Sequence, residues 1–246
     1  MLRYQTRGII IKRKKCGEAD RFLVIYTKKK GKIKVVAKGS RKILSKLAGH
    51  IEPFYFSDLS IISGKNINTL AGAELIDDYA ILRENSLKTA YAYYICEVLD
   101  NLIIDTEPSE EIFNLLLNTL ENLKTINNSL LLRHFEVQLL THLGHKPELN
   151  KCVKCGKTLK LEGNYFSNIL GGVVCLGCYR DNLDFIKISP DAIKIIRLLL
   201  AYDNSQIVKK IKNFSEAEKE TKQIVTNYIV YITGKKLKTV AVYEKK

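Results

Sequence analysis

Four cysteines in two pairs constrain this chain more than any other feature of its sequence. Cys152 and Cys155 form one C-x2-C pair, Cys175 and Cys178 form a second, and 19 residues separate the pairs. This is the ligand spacing of a four-thiolate zinc site. Four thiolates fill the tetrahedral shell of Zn²⁺ and leave no position for a reacting water. The pattern therefore predicts one structural zinc ion.

Other uses of these residues are weaker interpretations. A redox C-x-x-C motif would need one pair exposed at a helix start, and it does not account for two pairs. His142 and His145 lie just upstream and could replace a thiolate, but a helix end and a turn explain them more simply. The two remaining cysteines, Cys16 and Cys96, are expected to be small, partly buried apolar residues.

The positive charge of the chain is concentrated in its first fifth. The whole chain has 40 Lys and Arg against 26 Asp and Glu. Residues 1–50 contain 16 of these cations and only Glu18 and Asp20 as acids, a balance of 16 − 2 = +14, so residues 51–246 are neutral with 24 of each sign. Lysines that guard an exposed edge strand would explain one or two of these cations. Charge confined to one region predicts a surface for a polyanion, and we favour nucleic acid.

The first part of the chain has the pattern of a small β-barrel. Five segments rich in Ile, Val, Tyr and Phe occupy residues 5–12, 20–27, 31–38, 51–63 and 67–76, with glycines at or between them. Five short strands favour an OB-fold, a frequent binder of single strands, and an SH3-like barrel is the alternative. In the third segment, alternation places Ile33, Val35 and Ala37 on one face. Lys32, Lys34 and Lys38 then share the other face.

Helical periodicity begins near residue 80 and predicts three helices up to Gly144. Ser109 marks the start of the second of these, and Ser189 with Pro190 marks a further helix after the cysteines. A last helix is predicted over residues 216–232. The resulting fold class is α+β, with three regions: an OB-fold at 1–79, an all-helical domain at 80–145 and 181–246, and a four-cysteine zinc-finger insert at 146–180.

Candidate nucleic-acid contacts follow from the barrel pattern. Lysines at residues 28–30 are predicted to occupy a hairpin tip, where a solvated loop is an equally simple interpretation. A second basic cluster flanks Gly39, although the pattern of a P-loop is absent. Phe54 and Phe56 are expected to face the core, which leaves Tyr55 outward for base stacking. The predicted DNA-binding residues are Lys28, Lys29, Lys30, Lys32, Lys34, Lys38, Arg41, Lys42, Lys46 and Tyr55.

Several function classes are disfavoured by the sequence. The chain shows no apolar leader with a cleavage site and no apolar segment long enough for a bilayer, so a cytoplasmic protein without a membrane partner is expected. No nucleophile–base pair stands out, and the expectation is a protein that is not an enzyme. A metal-dependent nuclease or a GTPase-activating protein is the rival from another class. An RNA- or ribosome-binding factor built from an OB-fold and a zinc ribbon is the rival among binding proteins.

Short motifs along the chain resemble one known family. They include Gly17-Glu18-Ala19-Asp20, the segment from Ala37 to Lys42, Gly144-His145-Lys146-Pro147, Gly171 to Cys175, and Thr233 to Thr239. In this order and spacing they resemble the bacterial RecO family of recombination mediators, over essentially the whole chain. The resemblance implies an N-terminal OB-fold and a helical domain with a zinc insert. It also implies that Lys38, Arg41 and Lys42 contact DNA.

The resemblance carries expectations about activity and partners. It implies a DNA repair and homologous recombination mediator that binds ssDNA and dsDNA and anneals complementary strands. Together with RecR, and in many bacteria RecF, such a protein helps RecA replace the single-strand-binding protein SSB on DNA. SSB would be contacted through its acidic, apolar C-terminal tail, for which the sequence indicates no residues. The expected location is the nucleoid in the bacterial cytoplasm.

Overall fold

The computed structural model describes residues 2–104, 107–180, 184–202, 205–211 and 215–239. The chain divides into two compact units, residues 1–124 with 239–246 and residues 125–238. The elements of the first unit are β1 (Arg3–Cys16), β2 (Asp20–Thr27), β3 (Gly31–Ala37), β4 (Phe56–Ile62), β5 (Asn68–Asp77), α1 (Ala80–Arg83), α2 (Ser86–Leu102) and α3 (Glu110–Leu123). Those of the second are α4 (Leu130–His142), β6 (Asn164–Ser167), β7 (Gly172–Cys175), β8 (Phe185–Ile188), α5 (Pro190–Ala201) and α6 (Ser215–Thr233).

The five strands of the first unit form a closed barrel in the order β1-β2-β3-β5-β4. The long strand β1 pairs antiparallel with both β2 and β4, which closes the barrel. Strands β3 and β5 pair in parallel, with Val35 opposite Asn68. Closure removes the open sheet edges that short strands would otherwise expose. This order, with one parallel pair, is that of an OB-fold, so the predicted fold is confirmed.

Ten buried apolar side chains fill the barrel. As the alternation in the third segment predicts, Ile33, Val35 and Ala37 all face inward. The other seven are Ile10, Leu23, Ile25, Ile51, Leu59, Ile61 and Leu70. Since each fully buried aliphatic side chain contributes roughly 1.5–3 kcal/mol, this core stabilises the barrel without any bound group.

The fourth strand is shorter than the sequence predicts. It begins at Phe56 and not near residue 51, because Phe54 lies in a turn with a φ of 74°. Phe54 packs edge-on against Tyr93 of α2, with ring centroids 4.7 Å apart. Phe56 packs against Phe113 of α3 at 6.1 Å. The two phenylalanines are buried as expected, but they contact helices outside the barrel wall and not the barrel interior.

Helix starts follow the predicted signals. The Ser109 hydroxyl accepts a hydrogen bond from the Ile112 amide at 3.1 Å, and Glu110 and Glu111 occupy the first turn of α3. Ser189 caps α5 in the same way through the Ala192 amide, at 3.1 Å. Each cap satisfies a donor that the helix itself leaves open, and the acidic residues complement its dipole. The two predicted helix starts are therefore confirmed, whereas the first predicted helix is divided into α1 and α2.

The second unit combines three helices with a small sheet. The Gln138 side chain of α4 donates to the Leu199 carbonyl of α5 at 2.8 Å. Arg133 and Glu136 of α4 form a buried ion pair at 2.6 Å. The sheet has the order β7-β6-β8. Strand β8 lies beyond residue 180, where the sequence predicts no strand, because four residues offer too little alternation to be recognised.

The predicted division into regions 1–79, 80–145 with 181–246, and 146–180 stays a prediction. Helices α2 and α3 fall in the same compact unit as the barrel. The cysteine-bearing sheet continues to Ile188, which pairs with Asn164. Residues 105–106, 181–183, 203–204, 212–214 and 240–246 of the predicted helical domain lie outside the described residues.

Candidate metal centre and nucleic-acid interface

The four predicted cysteine ligands come together in the second unit. The sulfur atoms of Cys152, Cys155, Cys175 and Cys178 all lie within 4.8 Å of one another. The Sγ atoms of Cys155 and Cys175 are 3.8 Å apart. A tetrahedral zinc ion with Zn–S bonds of about 2.3 Å requires sulfur–sulfur distances of about 3.8 Å. The donor set and its spacing thus fit a structural metal ion.

Backbone hydrogen bonds shape both cysteine turns. The Gly156 amide donates to the Cys152 carbonyl at 2.8 Å, and the Tyr179 amide donates to the Cys175 carbonyl at 3.0 Å. Gly156 has a φ of 71°, a conformation that costs other residues free energy. Gly177 needs no such freedom, because it lies in a single turn of 3₁₀ helix over Leu176–Cys178. The two turns bring each pair of sulfurs to the same side of its backbone.

The cluster favours negative charge at one sulfur and resists it at another. Burial raises the pKa of Cys152, but backbone amides of Cys175, Cys155 and Lys154 donate to its sulfur and lower the pKa overall to about 6. Hydrogen bonds from its thiol to Cys155, with smaller contributions from burial and from the other sulfurs, raise the pKa of Cys178 to about 12. Four thiolates this close repel one another. A bound dication removes that repulsion and so takes the place of the thiol protons.

The remaining candidate ligands lie outside this cluster. Neither His142 nor His145 belongs to a potential metal-binding group among the described residues. Cys96 is buried in α2, and burial raises the pKa of its thiol, which fits its interpretation as an apolar residue. Cys16 is partly exposed at the end of β1.

The charge excess of residues 1–50 is smaller in the structure than in the sequence. Among the described residues, six of the 16 cations form ion pairs, and every partner lies beyond residue 50. Asp58, Glu52, Asp100 and Glu110 supply the carboxylates. The paired cations are Arg7, Lys12, Arg13, Arg21, Lys28 and Lys32. A charge count along the sequence therefore overstates the positive charge available to a ligand.

Lys32 corrects one sequence prediction. It shares a strand face with Lys34, as alternation requires, but its side chain is only 10% exposed. Its ammonium group donates to the backbone carbonyl of Asp100 at 2.8 Å and lies 3.2 Å from the carboxylate of the same residue. Helix α2 covers this end of the face and supplies the counter-charge. Exposure of Lys32 to DNA, as the alternation implied, is therefore wrong.

The predicted hairpin tip is present between β2 and β3. Thr27 pairs with Gly31, so Lys28, Lys29 and Lys30 form the turn. Lys28 forms an ion pair with Glu110 of α3 at 2.8 Å. The Lys30 ammonium lies over the ring of Tyr4 at 5.9 Å. Two of the three lysines thus already have partners.

A second cationic segment, residues 38–46, lies at the other end of β3 and is called here the basic loop. A strand of seven residues spans roughly 20 Å, so the hairpin tip and the basic loop are well separated. Within the described part of the chain, no ion pair involves any cation of the basic loop. These cations, all exposed, are Lys38, Arg41, Lys42 and Lys46.

Exposed lysines on the adjacent strands extend this basic surface. Lys34 lies on β3, four residues before the start of the basic loop, and is exposed. Lys14 of β1 pairs with Phe22 of β2, which pairs with Val36 of β3, so Lys14 shares the outer face with Lys34. The sequence prediction missed Lys14 and its exposed neighbour Lys15. The signal was available in the dense run of lysines near the end of the first strand, but its strand partner was unknown.

Tyr55 corrects a second prediction. It precedes β4 and is half-buried, and its ring packs against the barrel core. The Arg83 guanidinium lies over the same ring, 5.0 Å from its centroid. A face covered by an arginine offers no platform to a base. The outward orientation predicted for Tyr55 is therefore wrong, because the turn at Phe54 breaks the alternation.

Across the described residues, no helix combines the length and apolar character needed to cross a membrane.

The described residues contain two candidate sites, a four-sulfur cluster in the second unit and a cationic surface without ion pairs on the barrel.

Comparison with known proteins identifies the family. Residues 1–79 match the family model described as Recombination protein O N terminal, and residues 83–241 match the model described as Recombination protein O C terminal. A relative from Dehalococcoides mccartyi strain 195, called DNA repair protein RecO, is 39% identical over 84% of this chain and 81% of its own. Proteins of the same name are 33% identical in Alkaliphilus metalliredigens, over 92% of both chains, and 30% identical in Desulforamulus reducens, over 96% and 92%. The chain therefore belongs to the RecO family of DNA repair proteins.

Proposed function

We propose that this protein is a recombination mediator that binds ssDNA and dsDNA and anneals complementary strands without catalysing a reaction. In this role it acts with RecR, and in some bacteria with RecF, to help RecA load onto ssDNA coated with SSB. Membership of the RecO family supports this role. The observation that carries the DNA-binding part is the unpaired cationic surface around the basic loop of an OB-fold barrel.

The position of this surface suits a polyanion. The barrel end carries the four cations of the basic loop, and Lys34 and Lys14 continue the charge onto the outer wall. Since the described residues provide these side chains with no carboxylate partner, binding of phosphates does not first require an ion pair to break. The release of counterions from DNA then contributes to the binding free energy. Lys28, Lys29 and Lys30 form a secondary candidate surface because part of their charge is already compensated.

Strand annealing requires electrostatics and not bond chemistry. Two complementary strands repel each other through their phosphates, and a cationic surface that holds both reduces this repulsion. Once the strands are held, base pairing supplies sequence specificity. In this proposal the barrel therefore binds the phosphates of any sequence, and base pairing between the strands determines which sequences anneal.

The four-cysteine cluster is proposed to hold one structural Zn²⁺. Soft thiolate ligands and a closed tetrahedral shell favour zinc over the hard cations Mg²⁺ and Ca²⁺. Cys152, Cys155, Cys175 and Cys178 would hold the ion, which supplies folding free energy to the surrounding sheet. We further propose that RecR and the C-terminal tail of SSB are protein partners, and that the protein works at the nucleoid in the cytoplasm.

Replacing lysines of the basic loop tests the DNA-binding proposal. In the variant Lys38→Ala, Lys42→Ala, Lys46→Ala we expect weaker binding to ssDNA of any sequence. The plot of log affinity against log salt should flatten by roughly 2, since each single-strand phosphate contact contributes about 0.7. Arg41 is left in place because its guanidinium donates to the Gly17 and Glu18 carbonyls at 3.1 and 2.7 Å and holds the loop. Fluorescence anisotropy over a salt series measures both quantities.

The matched control is the hairpin variant Lys28→Ala, Lys29→Ala, Lys30→Ala, which removes the same charge from the other end of β3. We expect a smaller change in slope because Lys28 is paired and Lys30 lies against Tyr4. Equal slopes for the wild type and the basic-loop variant would refute the proposed surface. A preference for RNA over DNA of the same sequence would favour the RNA-binding alternative, and annealing of SSB-coated strands would favour the mediator role.

A further inference from the structure

The basic loop ends in two aliphatic side chains that contact almost nothing. Ile43 is 100% exposed and Leu44 is 94% exposed, the highest values for large apolar residues in the described part of the chain. Single exposed apolar residues are common on protein surfaces and need no explanation. Two adjacent aliphatic side chains at nearly full exposure leave almost all of their apolar surface in contact with water, which is unfavourable. This pair is therefore a candidate contact for a ligand.

The loop is held at its base and not at its tip. The Gly39 amide donates to the Asp20 carboxylate at 2.7 Å, and the Arg41 amide donates to the Ala19 carbonyl at 2.9 Å. The Arg41 guanidinium adds its two bonds to the carbonyls of the same β1–β2 turn. These contacts attach the start of the loop to the end of the first hairpin. They present the two aliphatic residues without burying them.

The conformation of the tip is also set by its own backbone. The Lys42 amide donates to the Gly39 carbonyl at 3.0 Å, and the Ser45 amide donates to the Lys42 carbonyl at 3.0 Å. The loop therefore contains two successive turns, and Ile43 and Leu44 are the two central residues of the second. A tip ordered in this way loses little conformational entropy when it binds.

The surroundings of the tip select its ligand. Lys42 and Lys46 flank the aliphatic pair in sequence, and both are exposed without an ion pair among the described residues. Of the acids near the loop, Asp20 accepts the Gly39 amide at the base of the loop. A ligand that fits must be anionic outside and apolar within. Nucleic acid has this arrangement, with phosphates along the backbone and apolar base faces between them. Aliphatic side chains are known to insert between bases as wedges.

We propose that Ile43 and Leu44 form a wedge that inserts between neighbouring bases of DNA whose phosphates are held by Lys38, Lys42 and Lys46. This inference rests on the proposed DNA-binding function and extends it from charge to base unstacking. Insertion costs stacking free energy, which burial of the two side chains offsets. Bases separated in this way expose their pairing edges, which favours encounter with a complementary strand.

An ssDNA oligonucleotide that contains 2-aminopurine between adenines tests the wedge with the full chain. The fluorescence of 2-aminopurine is quenched by stacking, so wild-type protein at saturation should increase it severalfold. We expect the variant Ile43→Ser, Leu44→Ser to lose more than half of this increase. Its affinity should fall by roughly three- to tenfold, because stacking and burial partly cancel. The salt dependence should be unchanged, since no cation is removed.

The control is the variant Ile76→Ser, Ile81→Ser. It removes two aliphatic residues that are each 45% exposed and lie near Asp77 and Asp78 in the sequence. It should retain the wild-type fluorescence increase. Two results would overturn the wedge: wild-type protein that binds without a fluorescence change, or an Ile43/Leu44 variant with the full change. Wild-type protein that does not bind ssDNA at low salt would refute the proposed function as well.

A parallel measurement with vesicles of anionic phospholipid separates the wedge from a lipid-binding tip. Loss of vesicle binding in the Ile43→Ser, Leu44→Ser variant, with base unstacking unchanged, would assign the pair to a membrane surface and overturn the proposal. Unstacking that depends on the pair, whatever the vesicle result, supports it.

Discussion

The barrel and the cysteine-bearing sheet are both small β-structures, yet they are stabilised in different ways. The barrel closes five strands around ten buried apolar side chains. The sheet formed by β6, β7 and β8 has three strands of four residues each. These strands bury four apolar side chains, against ten in the barrel: Phe166, Val173, Val174 and Ile188. The barrel core is complete in its own chain, whereas the sheet is proposed to rely on a metal ion bound by its four cysteines.

This difference matches the proposed roles of the two regions. A barrel with a self-sufficient core can carry on its surface the ten cations of residues 1–50 that form no ion pair among the described residues, because its stability does not depend on those side chains. The predicted zinc-finger insert, residues 146–180, has a smaller total excess of 6 − 2 = +4. Its four cysteines are proposed to bind a metal ion that stabilises the fold. In the proposed function, DNA binding therefore belongs to the structure whose stability is independent of any bound group.

Removal of the metal should produce the largest effect and tests the comparison directly. We expect Cys155→Ser to lower the metal content and to abolish amide protection in β6 and β7, since structural zinc sites contribute on the order of 10 kcal/mol to folding. Cys155 is exposed, so the change removes a ligand without opening a core cavity. Hydrogen exchange with metal analysis of the same sample measures both effects. Cys16→Ser serves as the control. Protection that survives in metal-free protein would break the comparison.

A core substitution in the barrel should have an intermediate effect that is independent of metal. Leu59 is 1% exposed, and Leu59→Ala should cost roughly 2–5 kcal/mol of unfolding free energy because it leaves a cavity. We expect the same loss with and without a chelator, as measured by urea unfolding followed at the barrel. Ile67→Ala, at a position 39% exposed, is the control and should cost far less. A loss that depends on the chelator would show that the barrel also relies on the metal.

The smallest of the three effects concerns the ion pairs that attach α2 to the barrel. Burial raises the pKa of Asp100, but the hydrogen bonds and charges of Lys12 and Lys32 lower it by a larger amount. The folded pKa therefore lies below the unfolded one. The contribution of this carboxylate to stability is therefore present above its unfolded pKa of about 3.9 and is lost as pH falls through the lower, folded value. At neutral pH, Asp100→Asn should cost about 1–3 kcal/mol, because Lys32 stays buried without its counter-charge.

Unfolding of Asp100→Asn across a pH series provides the measurement. The difference from wild type should shrink toward acid pH, where the wild-type carboxylate is itself protonated. Asp58→Asn is a suitable comparison because its pair with Arg7 is half exposed and contributes little. A difference that stays constant down to pH 3 would mean that packing, and not charge, holds Asp100 in place.

Sequence reasoning succeeded where the signal was local. The Ser109 and Ser189 caps are set by residues three positions away, and the alternation of Ile33 and Val35 is set by neighbours on the same strand. The four cysteines were recognised because ligand number and spacing follow from the chemistry of the metal.

Sequence reasoning failed where the deciding residue is distant. The burial of Lys32 depends on Asp100, 68 residues later in the chain. Alternation correctly placed Lys32 on the outer face, but it could not show that a helix covers this face. The orientation of Tyr55 depends on the unusual backbone of Phe54, which is not a glycine and gives no warning of a turn. Long-range pairing and rare backbone conformations are what a single sequence conceals.

Some carboxylates that pair with cations of residues 1–50 lie outside the barrel, so a fragment limited to the barrel would have a higher net positive charge. Residues 1–79 alone contain 17 Lys and Arg against 7 Asp and Glu, a balance of 17 − 7 = +10. A truncated barrel would lose Asp100 and Glu110, and with them the partners of Lys12, Lys28 and Lys32. It would also uncover the aromatic patch that α3 shields through Phe113. From the proposed DNA binding we expect such a fragment to hold DNA more strongly and less selectively than the intact molecule, because helices α2 and α3 supply carboxylates that reduce the positive charge of the barrel.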